Sequence, residues 1–184
     1  IGSLLGDGSI AKRNMGGWAS LRFSHSEKQV AYLKWKGALF SNIMRGFGST
    51  PAKSKVICGR ASRSAIQHSV MTLVHPRFSA LRDAAYPGGV KVIGPWADNL
   101  SPLGLAIWYQ DDGTLVSGRY ARLYTLGFGK SGVDHLIEIL HRNFGIEATK
   151  YRVRDSQWAI QIPAASGDLF FSLISPYTHP SMEY

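Results

Sequence analysis

Apolar and polar positions along the chain alternate in two periods, and the same order of periods is written twice. In residues 18–24, WASLRFS, Leu21 and Phe23 alternate with Ser20, Arg22 and Ser24, the pattern of a half-buried strand with Arg22 facing outward. Residues 26–43 change to helical spacing: Val30, Leu33, Leu39, Phe40 and Ile43 form a stripe, Lys28, Lys34 and Lys36 lie off it, and Gly46 and Gly48 end it. Residues 53–58 and 61–67 predict two short strands around Gly59 and Arg60. Residues 70–81 predict a helix kinked or split at Pro76. Residues 84–100, with AAYPGG and GPWADN, predict the loop joining two halves.

The second series follows the first. Residues 119–127 predict a strand with Arg122 and Tyr124 on one face, and residues 131–144 an amphipathic helix with Val133, Leu136, Ile137 and Leu140 inward and Gly145 as its stop. Residues 147–153 and 157–162 predict paired strands, and residues 168–175 a closing helix. Trp35, Trp108 and Tyr109 stand at helical positions and read as core.

Each series is headed by an apolar run ending in a carboxylate and a glycine: IGSLLGDGSI at residues 1–10 and SPLGLAIWYQDDGTLV at 101–116. Ser101 suits an N-cap, Pro102 the first helical turn, and Gly8 and Gly113 predict left-handed stops. Asp7 and Asp112, 105 residues apart, mark an internal repeat. They stand where a helix C-terminus opposes a carboxylate by about 0.3–1 kcal/mol, so their placement needs a cause. Gly2 and Gly6, four apart, would admit a second helix at backbone distance. With the other copy as partner, Asp7 and Asp112 meet, and paired carboxylates offer hard oxygen ligands to a divalent cation.

GSLLGDGSI and LAIWYQDDGTL resemble the two signature motifs of the LAGLIDADG homing endonucleases in their single-chain, double-motif form, and the ending PYTHPSMEY is similar too. The resemblance implies an α+β fold of two pseudo-symmetric αββαββα-like halves, residues 1–94 with the linker and residues 95–184. The motif helices would pack at the centre, with the sheets forming a DNA-binding saddle. It implies a monomeric, site-specific double-strand DNA endonuclease, hydrolysing phosphodiester bonds with Mg2+ or Mn2+ at Asp7 and Asp112, beside Gly6 and Asp111. Lys91, 21 residues before Asp112, stands where related enzymes carry a basic residue by the active site, and its counterpart is Gln157. Two rival readings share the fold: an intron maturase binding RNA, and an inactive DNA-binding regulator. Ile107 and Asp111 depart from the motif, which prefers small residues there, so the tight face should belong mainly to the first helix.

Composition adds a partner class. The 184 residues carry a net charge of +9, 45% hydrophobic and 11% aromatic content, enough for a sizeable core and a polyanionic partner. Residues 1–94 hold 14 Lys and Arg against 3 Asp and Glu, whereas 95–184 hold 7 against 9, so the first half should make more phosphate contacts. Lys150, Arg152 and Arg154 recur at period two and predict a cationic ladder on one strand face, with Tyr151 and Val153 on the other. With Arg22, Lys53, Lys55, Arg63, Arg122 and Tyr124 they form the predicted contacts to double-stranded DNA with a long asymmetric site. No apolar run of 18 residues suggests a membrane. The lone Cys58 excludes an internal disulfide and suits a reducing intracellular compartment, cytoplasm or organelle, rather than secretion. The six histidines show no zinc-ligand spacing with Cys58, and GFGKSG lacks the spacing of a nucleotide-binding loop.

Overall fold

A computed structural model gives the architecture and describes residues 1–12, 17–51, 56–57, 60–61 and 66–182. In chain order the elements are α1 (Gly2–Leu5), β1 (Ser9–Lys12), β2 (Ala19–Ser26), α2 (Val30–Ala38), β3 (Met44–Pro51), β4 (Val56–Ile57), β5 (Arg60–Ala61), β6 (Ile66–Thr72) and α3 (Pro76–Ala85). They continue with α4 (Pro102–Asp112), β7 (Gly113–Val116), β8 (Tyr120–Tyr124), α5 (Gly129–Phe144), β9 (Thr149–Arg154), β10 (Gln157–Ile162) and α6 (Gly167–Ile174). Two four-stranded antiparallel sheets result, ordered β1-β2-β6-β3 and β7-β8-β10-β9, and β4 pairs antiparallel with β5. The mixed α+β class and its repetition are as the sequence predicts.

The chain divides into two compact units at places other than 94/95. One unit comprises Ile1–Asp7 and Ala80–Thr178, the other Gly8–Ser79 and His179–Tyr184. The first motif helix therefore packs with the second half of the chain.

In the unit containing α4, α5 crosses β10 and β9 and buries Val133, Leu136, Ile139 and Leu140 against Leu123, Ile160 and Ile162. Gly145 ends α5 at φ 68°, the left-handed conformation its position predicts. Trp108 of α4 is fully buried, and Tyr109 meets Phe170 and Phe171 of α6 edge to face, so both aromatics are core.

In the other unit, α2 lies on β2 and β6, covering Leu21, Phe23 and Val70 with Tyr32 and Leu33. Here the helix is shorter than its periodicity predicts. Short 3-10 turns, Glu27–Gln29 and Ser41–Ile43, flank it. Lys36 is fully buried rather than off the stripe, its ammonium 4.9 Å from the Phe23 ring centroid and 5.5 Å from that of Tyr32. Gly46 and Gly48 lie inside β3, whose small residues hide its strand character in the sequence. Residues 70–72 finish β6, and Pro76 opens α3 as its first residue instead of kinking a longer helix, because its fixed φ and missing N–H suit that position.

Candidate active site

The apolar motif runs fold as helices with unequal ends. Ser101 caps α4, its Oγ accepting the Gly104 N–H at 3.2 Å, and Pro102 occupies the first turn. The helix runs through Asp111 and Asp112. Gly113 is not left-handed, as the sequence suggested, but extended at φ −96°, ψ 163°. Glycine is needed there because a Cβ would strike the Tyr109 ring and carbonyl. Gly8 likewise lacks a positive φ. α1 has only four residues, all buried, and stops at Gly6, leaving Asp7 beyond its end and exposed.

The two helices approach at backbone distance. A Cβ at Gly2 would fall on the Gly104 carbonyl, and one at Gly6 on the Cβ and carboxylate of Asp111. Gly2 and Gly6 thus form the tight face their spacing predicts, but Gly104 shares it, a contribution not read from the sequence. Asp111 fits opposite Gly6 because that glycine offers no side chain, and its Oδ2 accepts the Asp7 backbone N–H at 3.3 Å. One carboxylate oxygen of Asp7 and one of Asp111 lie within 4.8 Å of each other.

Lys91 joins this group. Its Nζ donates to the Leu4 carbonyl at 2.8 Å, a cation at the negative end of α1. Its loop is tied down by the Val92 N–H on the Ala85 carbonyl, 2.9 Å, and the Trp96 indole N–H on the Val92 carbonyl, 2.9 Å. Burial pushes the Lys91 pKa below the ordinary lysine value, and the negative charges of Asp112, Asp7 and Asp111 work against that shift. Lys91 and Asp112 share a cavity of about 390 Å³ with Leu5, Gly6 and Tyr124. Three carboxylates and one partly desolvated ammonium therefore converge where α1 and α4 end. Hard oxygen donors of this kind fit Mg2+ or Mn2+ better than softer metals.

Gln157 is not brought to that cavity. It begins β10 opposite Arg154 and is exposed, because the β9–β10 hairpin carries it to the strand's outer end. Gln110 is a further residue of the site, one that the motif spacing does not single out. Buried one residue before the carboxylates, it donates to the Ala106 carbonyl at 3.0 Å and the Tyr177 carbonyl at 3.2 Å, fixing α4 to the segment after α6. Its signal was a polar residue in an otherwise apolar helix.

The predicted nucleic-acid contacts separate by sheet face. Arg22 is exposed on β2, opposite Met71, on the face away from Phe23 and Val70. Arg122 and Tyr124 share the face of β8 away from Leu123, with Gln161 directly opposite Arg122. The cationic ladder does not hold as a single face. Lys150 stands opposite core residue Ile160 and pairs with Asp134 of α5, and Arg152 stands opposite Trp158, its Nε donating to the Asp155 carbonyl at 2.8 Å. An irregularity at Gln157/Trp158 shifts the pairing, so Arg154 faces Gln157 on the other side of the sheet. Lys53, Lys55, Arg63 and Cys58 lie outside the described residues. Among the described residues, no helix is long and apolar enough to cross a membrane.

A profile of the LAGLIDADG DNA endonuclease family matches residues 1–170. The chain is 30% identical over 193 residues to the cytochrome b mRNA maturase bI2 of Saccharomyces cerevisiae, covering 100% of this chain and 45% of that protein. It is 32% identical over 205 residues to protein RecA of Mycolicibacterium flavescens, covering 100% of this chain and 44% of RecA. It thus spans less than half the length of either. A bI2 maturase of Debaryomyces hansenii is 30% identical, with 70% of its length covered. Among solved structures, the homing endonuclease I-WcaI bound to its DNA recognition sequence superposes with a TM-score of 0.84 at 26% identity, over 100% of this chain and 81% of that one. The complex of I-DmoI with DNA and Mn shares the fold, with a TM-score of 0.53 at 13% identity over 94% of this chain and 92% of the other.

Proposed function

The chain belongs to the LAGLIDADG DNA endonuclease family, and on that premise we propose that it is a homing endonuclease that cuts both strands of a long duplex site. The observation that carries the reading is the convergence of Asp7, Asp111 and Asp112 around the Lys91 ammonium at the ends of two helices that touch backbone to backbone. Carboxylates gathered at helix C-termini are costly in an inert protein and useful in one that binds cations and phosphate. Asp7 and Asp112 would hold the divalent cations, with Asp111 and the Gly6 carbonyl beside them. Such ions supply a nucleophilic water and stabilise the leaving 3′ oxygen. Lys91 places positive charge where a scissile phosphate gains negative charge, and its tie to Leu4 fixes the ammonium there in advance. Arg22, Arg122, Tyr124 and Arg154, on faces not packed by helices, are suited to phosphate and base contacts.

The same chain length matches segments of two proteins with unrelated names, an mRNA maturase and RecA, each over less than half. That pattern fits a portable module and supports homing. The maturase relatives also support a second reading, RNA binding on the same fold. Three carboxylates in place count against an inactive regulator.

The test is to incubate purified protein with Mg2+ and a randomised duplex library and to capture cut ends. One enriched site, cut on both strands and spared when EDTA is added, is the expected result. No cut site, with binding of structured intron RNA instead, would favour the maturase.

A further inference from the structure

Every other basic residue described on β8 to β10 is spent or peripheral, but Arg122 is held ready at the centre of its sheet. β8 and β10 are the two inner strands of the order β7-β8-β10-β9. The guanidinium carbon of Arg122 lies 3.7 Å from the Tyr151 ring centroid and 5.8 Å from that of Tyr120. Nη2 donates to Gln161 Oε1 at 3.2 Å. Nε is enclosed, without a hydrogen-bond partner among the described residues, so it points away from the open side. Ala159, opposite both Tyr124 and Tyr151, makes the arrangement possible, because its small side chain lets Arg122 and Tyr151 meet diagonally above it. No described carboxylate pairs with Arg122, whereas Lys150 is taken by Asp134.

We infer that Tyr151, Arg122 and Gln161 form a preorganised reader of a single guanine in the major groove of the bound duplex, an inference that rests on the DNA-binding reading above. Five N–H donors in a rigid plane are the endowment of arginine. With Nε enclosed and one Nη2 donor held by Gln161, the donors left for a ligand are those of the two terminal amino groups, in a plane that Tyr151 and Gln161 fix. Two parallel donors so presented match guanine O6 and N7, the commonest specific contact of arginine with DNA. A phosphate contact needs no such fixing of the plane, and the flexible side chains at a sheet rim serve it better. Stacking on Tyr151 also removes rotamer freedom before binding, which lowers the ordering cost of the contact. Tyr151 and Gln161 are positioning residues, acting through Arg122.

The experiment is binding selection on a randomised duplex pool with wild-type protein, Arg122→Gln, Tyr151→Phe and Tyr151→Leu, with thermal melting to confirm that each folds. Wild type should fix guanine at one position of the site. Arg122→Gln should lose that preference by about 5- to 150-fold, the range for a bidentate pair, and leave all other positions unchanged. Tyr151→Phe should keep the preference, whereas Tyr151→Leu should weaken it at that position alone. Substituting 7-deazaguanine there should weaken wild-type binding and leave Arg122→Gln indifferent. A uniform loss across all sequences, with the salt slope reduced by about one, would make Arg122 a phosphate contact and overturn the inference while leaving the endonuclease reading standing. A wild-type protein that enriches no duplex sequence overturns both.

Discussion

The two motif helices carry one signature and end differently. α4 has a side-chain cap, eleven residues and a carboxylate pair inside its last turn. α1 has four residues and no side-chain cap, and places Asp7 past its end, exposed. Compensation comes from elsewhere in the same unit: the Lys91 ammonium caps the Leu4 carbonyl, and Asp111 of α4 accepts the Asp7 N–H. The weaker helix end is therefore built by groups that the stronger helix and the linker supply. A repeat in sequence has become a division of labour in structure.

The comparison breaks most visibly if the helices can be parted. Gly2→Ala drives a methyl into the Gly104 backbone, which cannot rotate aside, so stability should fall by about 3 kcal/mol or more in denaturant melts. Gly6→Ala meets Asp111, whose carboxylate can swing but whose Cβ, 2.4 Å away, cannot, so it should cost about 1–3 kcal/mol, less than Gly2→Ala. Equal costs would show that the backbone contact is not the tight point.

Removing the cation should expose the inequality directly. If Lys91 serves one cutting site, Lys91→Gln slows one strand by about a hundredfold and nicked duplex accumulates, as time courses on end-labelled DNA would show. Equal slowing of both strands would remove that assignment. The same residue sets a pH limit. Its pKa lies below 10.5, so its charged form costs stability in full below the folded value, and that cost is relieved as pH rises through the folded pKa towards 10.5. Stability should rise with pH in that window while cleavage declines, and Lys91→Arg, which stays charged, should abolish the decline. A profile flat to pH 10.5 in the wild-type protein would contradict the depressed pKa.

Asp111→Asn is the mildest of these changes. An asparagine oxygen can still accept the Asp7 N–H, so cleavage should fall by no more than about tenfold. If Asp111→Asn is dead while Asp112→Asn cuts, the pairing of Asp7 with Asp112 is off by one residue.

How much of this was legible depended on how locally each feature is encoded. The motif ends were readable because apolar spacing, Ser101, Pro102 and the carboxylate-glycine pairs are local signals, and α5 with Gly145 was readable for the same reason. β3 was not, since Gly46, Gly48 and Ser49 offer no alternation and the strand exists through pairing with β6. Lys36 was read as surface because spacing cannot show that two aromatic rings accept its charge in the core. The cationic ladder failed for a nonlocal reason as well: an irregularity in the pairing with β10 turned Arg154 away from Lys150 and Arg152, and α5 supplied an acid for Lys150. Gly104 and Asp111 acquire their roles only when α1 lies against α4.

Whether Asp7 and Asp112 at the ends of the paired helices carry metal-dependent cutting is decided by one paired measurement. Asp7→Asn and Asp112→Asn would each be assayed for cleavage in Mg2+ and for binding of the same duplex, alongside wild type. Each variant should lose double-strand cleavage and bind the duplex as the wild type does. Cleavage at wild-type rates by both variants would contradict it.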